Sequence, residues 1–324
     1  VPAVADIAAR HAAIQAGIAR RAAADAARLW AEIDPNHIAP SWLARLPRAY
    51  AGLSASQTAA AGLADSYTDR VLGTRDAAAR VVPAAFAGVA SDGRPLMTLL
   101  QQPVFTTLRQ IAGGTSPARA LASGRYLLDM IVRTQVADAG RTAVGAAITA
   151  RPHATGYVRQ VVGNTCARCL ILAGRHYRWN AGFKRHPRCD CIHIPTAENV
   201  PGDIATSPRV AFDAMSPAEQ DRVFGQAGAQ AIRDGADMAQ VVNARRGMQT
   251  ASAFGRDVLV TTEGTTTRGI AGNRLGARFA AQKSAQDRYR RATNVRLMPE
   301  EIYREAGTDR AEAVRLLRLH GYLI

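Results

Sequence analysis

The chain has 324 residues, a mass of 34.5 kDa, 48% hydrophobic residues and a formal charge of +15. That is enough chain for two domains and a sizeable core. No stretch approaches the roughly 18 consecutive apolar residues that span a bilayer, which argues against a membrane protein. Asp6 and His11 interrupt the N-terminal stretch, so it does not read as a signal peptide and the protein is expected to stay in the compartment where it is made.

Residues 1–34 place Val4, Ile7, His11, Ile14, Ile18, Ala22, Leu29 and Ile33 at three- and four-residue steps. This is the stripe of a long amphipathic helix, ended by Asp34-Pro35. A helix bundle within the chain is the expected use of that stripe, with a partner surface as the alternative. Residues 41–150 continue as helices punctuated by Pro47, Pro83, Pro95, Pro103 and the loop 113–117. Ser116-Pro117 is a helix start, residues 117–150 read as one or two long helices, and Arg151-Pro152 breaks the pattern.

Residues 155–163 are β-branched and alternating, a strand that leads into Cys166. Ser216-Pro217-Ala218-Glu219 is a capping box opening a helix to about Arg233, which Asp234-Gly235 stops before a shorter helix over 236–246. Residues 257–270 alternate valine and threonine around Glu263-Gly264 and predict a hairpin there. The end, 299–322, predicts two short helices closed by Gly321. The expected fold is α+β and mostly helical: a helical region over 1–150, a small α/β metal-knuckle module over 151–210, and a basic helix and hairpin region over 211–324.

All four cysteines fall within 26 residues, in the order Cys166-x2-Cys169, sixteen residues, then His186-Pro-x-Cys189-x-Cys191. Zn²⁺ takes four soft or borderline donors in a tetrahedron, and a Cys-x2-Cys turn supplies two of them. Five donors compete here for four places, and His186 can replace either late cysteine. Buried free thiols or one labile disulfide are the alternatives, less well matched to this clustering. Four or five protein donors leave no open coordination position, so a zinc here would hold the fold and would not activate water.

Arginine supplies nearly all the positive charge, since lysine occurs only at Lys184 and Lys283. Between Arg245 and Arg296 stand eleven basic residues against three acidic ones, a balance that attracts polyanions. Candidate nucleic-acid contacts are Arg245 and Arg246 after the two helices of 216–246, then Arg274, Arg278, Lys283, Arg288, Arg290 and Arg291 with Phe279 and Tyr289 interleaved. A packed helical hairpin and a solvated basic face are the plainer readings of the same residues. Gly-x-Ser-x-Gly, a P-loop and His-Glu-x-x-His are all missing from the sequence, and no catalytic residue is assigned.

One ordered set of motifs resembles a known family. Arg133-Thr134-Gln135-Val136-Ala137, then Gly156-Tyr157-Val158-Arg159, Cys166-x2-Cys169, Gly174, and His186-Pro187-Arg188-Cys189-Asp190-Cys191 with Pro195 together resemble the MuF-like minor head proteins of tailed phages. The stretch 219–248 looks like the C-terminal half of such proteins in phages of actinobacteria. The resemblance implies a helical N-terminal region before a small α/β domain, and a non-enzymatic minor capsid protein. Its implied partners are the portal protein, the major capsid protein and double-stranded DNA, with multiple copies in each head. Its implied location is the capsid interior near the portal, and the host cytoplasm during assembly. A capsid maturation protease and a DNA-binding accessory head protein are the alternatives.

Overall fold

The computed structural model describes residues 3–162, 166–182, 186, 187, 189, 191–197, 207–253, 255–266, 268–276 and 294–323. It is mostly helical with two small antiparallel sheets, an α+β fold. Two compact units emerge: Val1–Asn164 with Ala173–Ala205, and Thr165–Leu172 with Thr206–Ile324.

The first unit is built on one long helix. Helices α1 (Val4–Ala31), α2 (Ile38–Ala61), α3 (Ala64–Leu72), α4 (Leu96–Leu99) and α5 (Gln102–Ala112) precede α6 (Pro117–Thr149). Pro117 sits in the first turn of α6, where its missing N–H costs nothing, and residues 117–149 form a single helix. The buried face of α1 is made largely of alanine, Ala8, Ala19, Ala22, Ala23 and Ala26, with His11, Ile18 and Trp30. The expected stripe holds at His11, Ile18 and Ala22, whereas Ile14 is 45% exposed. Small side chains let helix backbones approach closely, so the packing face follows size as well as hydrophobicity. Bulk comes from the tryptophans: Trp30 and Trp42 meet edge to face at 5.1 Å, and their indole N–H groups donate to the carbonyls of Leu121 and Leu100.

Pro47 does not punctuate the chain as expected; it lies inside α2. Both Pro47 and Leu43, whose carbonyl loses its helical partner, face outward, so water can satisfy that carbonyl.

Beyond α6 the chain forms β1 (Ala154–Gln160), β2 (His176–Arg178) and β3 (Ile192–Ala197); the helical turn α7 (Ala167–Leu170), which lies between β1 and β2 in sequence, belongs to the second unit. The sheet order is β2-β1-β3, with Tyr157 opposite Tyr177 on one side and Pro195 on the other. At Gly156 the neighbouring strand comes so close that a Cβ would stand 2.0 Å from the Tyr177 carbonyl oxygen, which no side chain tolerates.

The second unit carries α8 (Pro208–Asp213), α9 (Pro217–Phe224), α10 (Gln226–Arg233) and α11 (Met238–Ala244). The capping box forms as expected: Ser216 Oγ accepts from the Glu219 N–H while the Glu219 carboxylate accepts from the Ser216 N–H. The single helix expected over 216–233 is divided at Gly225, whose φ of 75° ends α9 and starts α10. The hairpin is also displaced. Its strands are β4 (Met248–Ala253) and β5 (Arg256–Thr261), with β6 (Arg296–Leu297) on the other side of β5. Gly255, at a φ of 73°, lies in the connection, so β5 pairs with the residues before it instead of with those after Glu263-Gly264. Helix α12 (Ile270–Arg274) follows, and α13 (Pro299–Ala306) and α14 (Arg310–Leu319) close the unit before Gly321, as expected.

Two buried histidines, His11 in the first unit and His320 in the second, are kept neutral by their burial. His11 stacks on Tyr67 at 3.9 Å, and burial pushes its pKa down to about 4. His320 accepts the Leu297 N–H on Nδ1, and burial, helped by the nearby Arg296 and Arg315 charges, brings it to about 4 as well. Unfolded, both titrate near 6.5, so between about pH 6.5 and 4 the unfolded chain binds more protons and stability falls as pH falls. The thermal midpoint should therefore drop across that window. His11→Phe and His320→Gln should each flatten the slope in a pH series of thermal unfolding.

Candidate metal centre

The five sequence-predicted donors come together. Ligand atoms of Cys166, Cys169 and His186 lie within 4.8 Å of one another, and so do those of Cys169, Cys189 and Cys191. Cys166 precedes the helical turn α7, and the Cys169 N–H donates to its carbonyl, which folds the Cys-x2-Cys segment into a knuckle. Cys189 lies in a loop and Cys191 immediately before β3, and none of the four cysteines is in a disulfide. Cys169, Cys189 and Cys191 are buried and Cys166 is exposed. His186 Nδ1 stands 2.8 Å from the Pro187 carbonyl oxygen.

Donor chemistry and spacing fit a metal ion. Thiolates at about 2.3 Å around a tetrahedral ion stand about 3.8 Å apart, inside the observed spread. The group can hold a metal through sulfur, with His186 as a nitrogen donor.

The loop that carries Cys189 and Cys191 is gripped from α6. Arg141 Nε donates to the Cys191 carbonyl at 2.6 Å, Nη2 donates to the Cys189 carbonyl, and Nη1 pairs with Asp138 at 3.0 Å. Asp138 in turn accepts from Ser91 Oγ at 2.7 Å, and the Ser91 N–H donates to Gln135 Oε1 at 2.8 Å. Gln135, Asp138 and Arg141, three residues apart along α6, are all buried. From the sheet, Arg159 on β1 reaches the sulfurs themselves, Nε at 3.3 Å from Cys191 Sγ and Nη2 at 4.0 Å from Cys189 Sγ.

The start of β3 is held by aromatic stacking as well. Tyr67 on α3 donates its hydroxyl to the His193 carbonyl at 2.8 Å, and Tyr157 stacks on the His193 ring at 4.1 Å. A cavity of about 990 Å³ adjoins this region, with His11, Arg133, Arg141, Cys189 and His193 in its walls.

Sequence reasoning found every donor but missed Arg141 and Asp138, and it noted Gln135 and Arg159 only as parts of motifs. The available signal was charged residues at buried-face spacing in an otherwise alanine- and valine-rich helix. Among the proposed nucleic-acid contacts, Arg245 donates to the Phe224 carbonyl and pairs with Glu300 at 2.8 Å. Arg246 donates to Asn243 Oδ1 and lies 3.9 Å from Glu263, and Arg274 donates to the carbonyls of Arg318 and Leu323. Arg278, Lys283, Arg288, Arg290 and Arg291 lie outside the described residues.

Removing one partner of a buried, hydrogen-bonded charge leaves the other uncompensated and costs about 3–5 kcal/mol. Arg141→Met should lower the unfolding free energy by about 3 kcal/mol and speed amide hydrogen exchange along β3 more than along β4 and β5.

No helix among the described residues is long and apolar enough to cross a membrane. No curated protein and no solved structure matches the chain. Its residues 3–214, which take in the helices around α6, the β2-β1-β3 sheet and all five donors, match the family model of the VG15 protein. The chain belongs to the VG15 family, a family of phage proteins.

Proposed function

We propose that this protein is a structural minor head protein of a tailed phage, of the MuF-like kind, and that its cysteine–histidine centre binds one structural Zn²⁺. The observation that carries the reading is the donor set. Five protein donors within two overlapping groups are enough to fill all four positions around zinc, three of the sulfurs are buried, and two arginines meet the segment that bears Cys189 and Cys191, Arg141 at its carbonyls and Arg159 at its sulfurs. Such a centre stabilises a fold and leaves no coordination site for water, so no hydrolytic role is assigned to it. The family match supports a phage origin, and the motif order from Arg133 to Pro195 supports the minor head protein.

In this reading the helical N-terminal region docks on the portal or the major capsid protein from the capsid interior. The basic C-terminal region faces packaged double-stranded DNA, and the protein acts in head assembly or genome delivery, in several copies per head. The +15 charge supports retention near DNA by long-range attraction.

Elemental analysis of the purified chain should return close to one zinc per molecule. Cys189→Ser or prolonged chelation should lower the thermal midpoint, whereas a metal-free preparation of unchanged stability would refute the zinc assignment. Quantitative mass spectrometry of disrupted virions should find the chain enriched with portal-containing fractions. Incubation with scaffold and capsid proteins should produce no specific cleavage; a defined cut would favour the maturation protease instead.

A further inference from the structure

Arg159 is 1% exposed, and a guanidinium stays charged at every pH a protein survives. Burying such a charge costs several kcal/mol unless an anion or a full set of acceptors meets it. Its Nε and Nη2 are directed at the sulfurs of Cys191 and Cys189. A thiol sulfur is a weak acceptor, while a thiolate takes a charge-assisted hydrogen bond. The backbone that carries this side chain is held independently of the sulfurs. The Arg159 N–H donates to the Arg175 carbonyl, its own carbonyl accepts from the Gly174 N–H, both at 2.9 Å, and across the sheet Arg159 is in register with His193 on β3.

We propose that Arg159 is the built-in counter-cation of the thiolate centre, a positioning residue that donates N–H···S bonds to Cys191 and Cys189 and offsets one of the negative charges the ligands bring. The inference rests on the metal reading of the cluster. Zn²⁺ with four thiolates carries two net negative charges and with three thiolates and an imidazole carries one, so a single buried cation improves the balance in either ligand set. The work of the two arginines is divided. Arg141 holds the carbonyls of the cysteine loop and sets where the backbone lies, and Arg159 meets the sulfurs and sets how much charge they carry. A partner of this kind, outside the ligand shell, typically changes metal affinity about 10–100-fold when it is removed.

The test uses the full chain loaded with Co²⁺ in place of zinc, in wild type and in Arg159→Met, Arg159→Lys and Val158→Ala. Val158 leaves β1 on the opposite face from Arg159, so its variant reports on loosening of the strand alone. The readouts are the thiolate-to-cobalt charge-transfer band and the metal retained against a competing chelator. Arg159→Met should move the band to lower energy, because sulfur that loses a hydrogen bond and a neighbouring positive charge gives up electron density more easily, and should weaken retention at least tenfold. Arg159→Lys keeps the charge and loses the fork, so it should recover part of the retention with an intermediate band; it also carries the test should the methionine variant not fold. Val158→Ala should leave the band in place. A band and a retention unchanged in both Arg159 variants overturn the role of Arg159 and leave the metal site standing. Wild type that binds no cobalt overturns the metal site and this role with it.

Discussion

The grip of Arg141 on the carbonyls of Cys189 and Cys191 is the interaction on which the cysteine-rich part of the first unit depends. A loop bearing two metal-donor side chains has few apolar contacts of its own, and its buried carbonyls need donors. One planar guanidinium supplies several in a fixed fork, and Asp138, braced by Ser91, holds that fork on α6. The same solution recurs where the core is thin. Arg151 closes the end of α6 by donating to the Ala147 carbonyl and to Asp65 and Asp69 on α3. In the second unit Arg296 gathers the carbonyls of His320 and Glu263 and the Gln240 amide oxygen, and lies over the Tyr322 ring at 4.3 Å.

These buried arginines follow from composition. Alanine faces pack helices closely but bury little area each, so hydrophobic burial leaves gaps at helix ends and loop entries. Arginine fills such a gap with an apolar stem and a head that satisfies carbonyls. The cost is that each guanidinium must be fully met, which ties distant segments together: residue 141 to 189 and 191, residue 151 to 65 and 69, residue 296 to 240, 263 and 320.

Local periodicity and end signals were sufficient for α1, α6, β1, the capping box at Ser216 and the last two helices, because the physics that sets them acts within a few residues. Legibility failed where longer-range pairing decided. Strand β5 was visible, but its partner is chosen by the connection around Gly255 and by Arg296–Leu297 arriving from far along the chain. Pro47 is tolerated in α2 because of which way it faces, and that is a property of the packed bundle. The candidate metal donors were legible from spacing alone, since a knuckle is local. Their supports were not, because Gln135, Asp138, Arg141 and Arg159 come from a helix and a strand that spacing does not connect to Cys189.

The same distinction bears on the basic character of the chain. A count of arginines measures charge, but contact with a phosphate needs free N–H donors as well. Arg245, Arg246 and Arg274 direct donors to carbonyls or carboxylates within their own unit. An arginine bonded to a carbonyl keeps its full charge, so it still contributes to the long-range field while offering fewer donors at short range. A surface built this way attracts a polyanion without gripping it at fixed points. In the proposed role, attraction without registration would let packaged DNA move past the protein when the genome leaves the head.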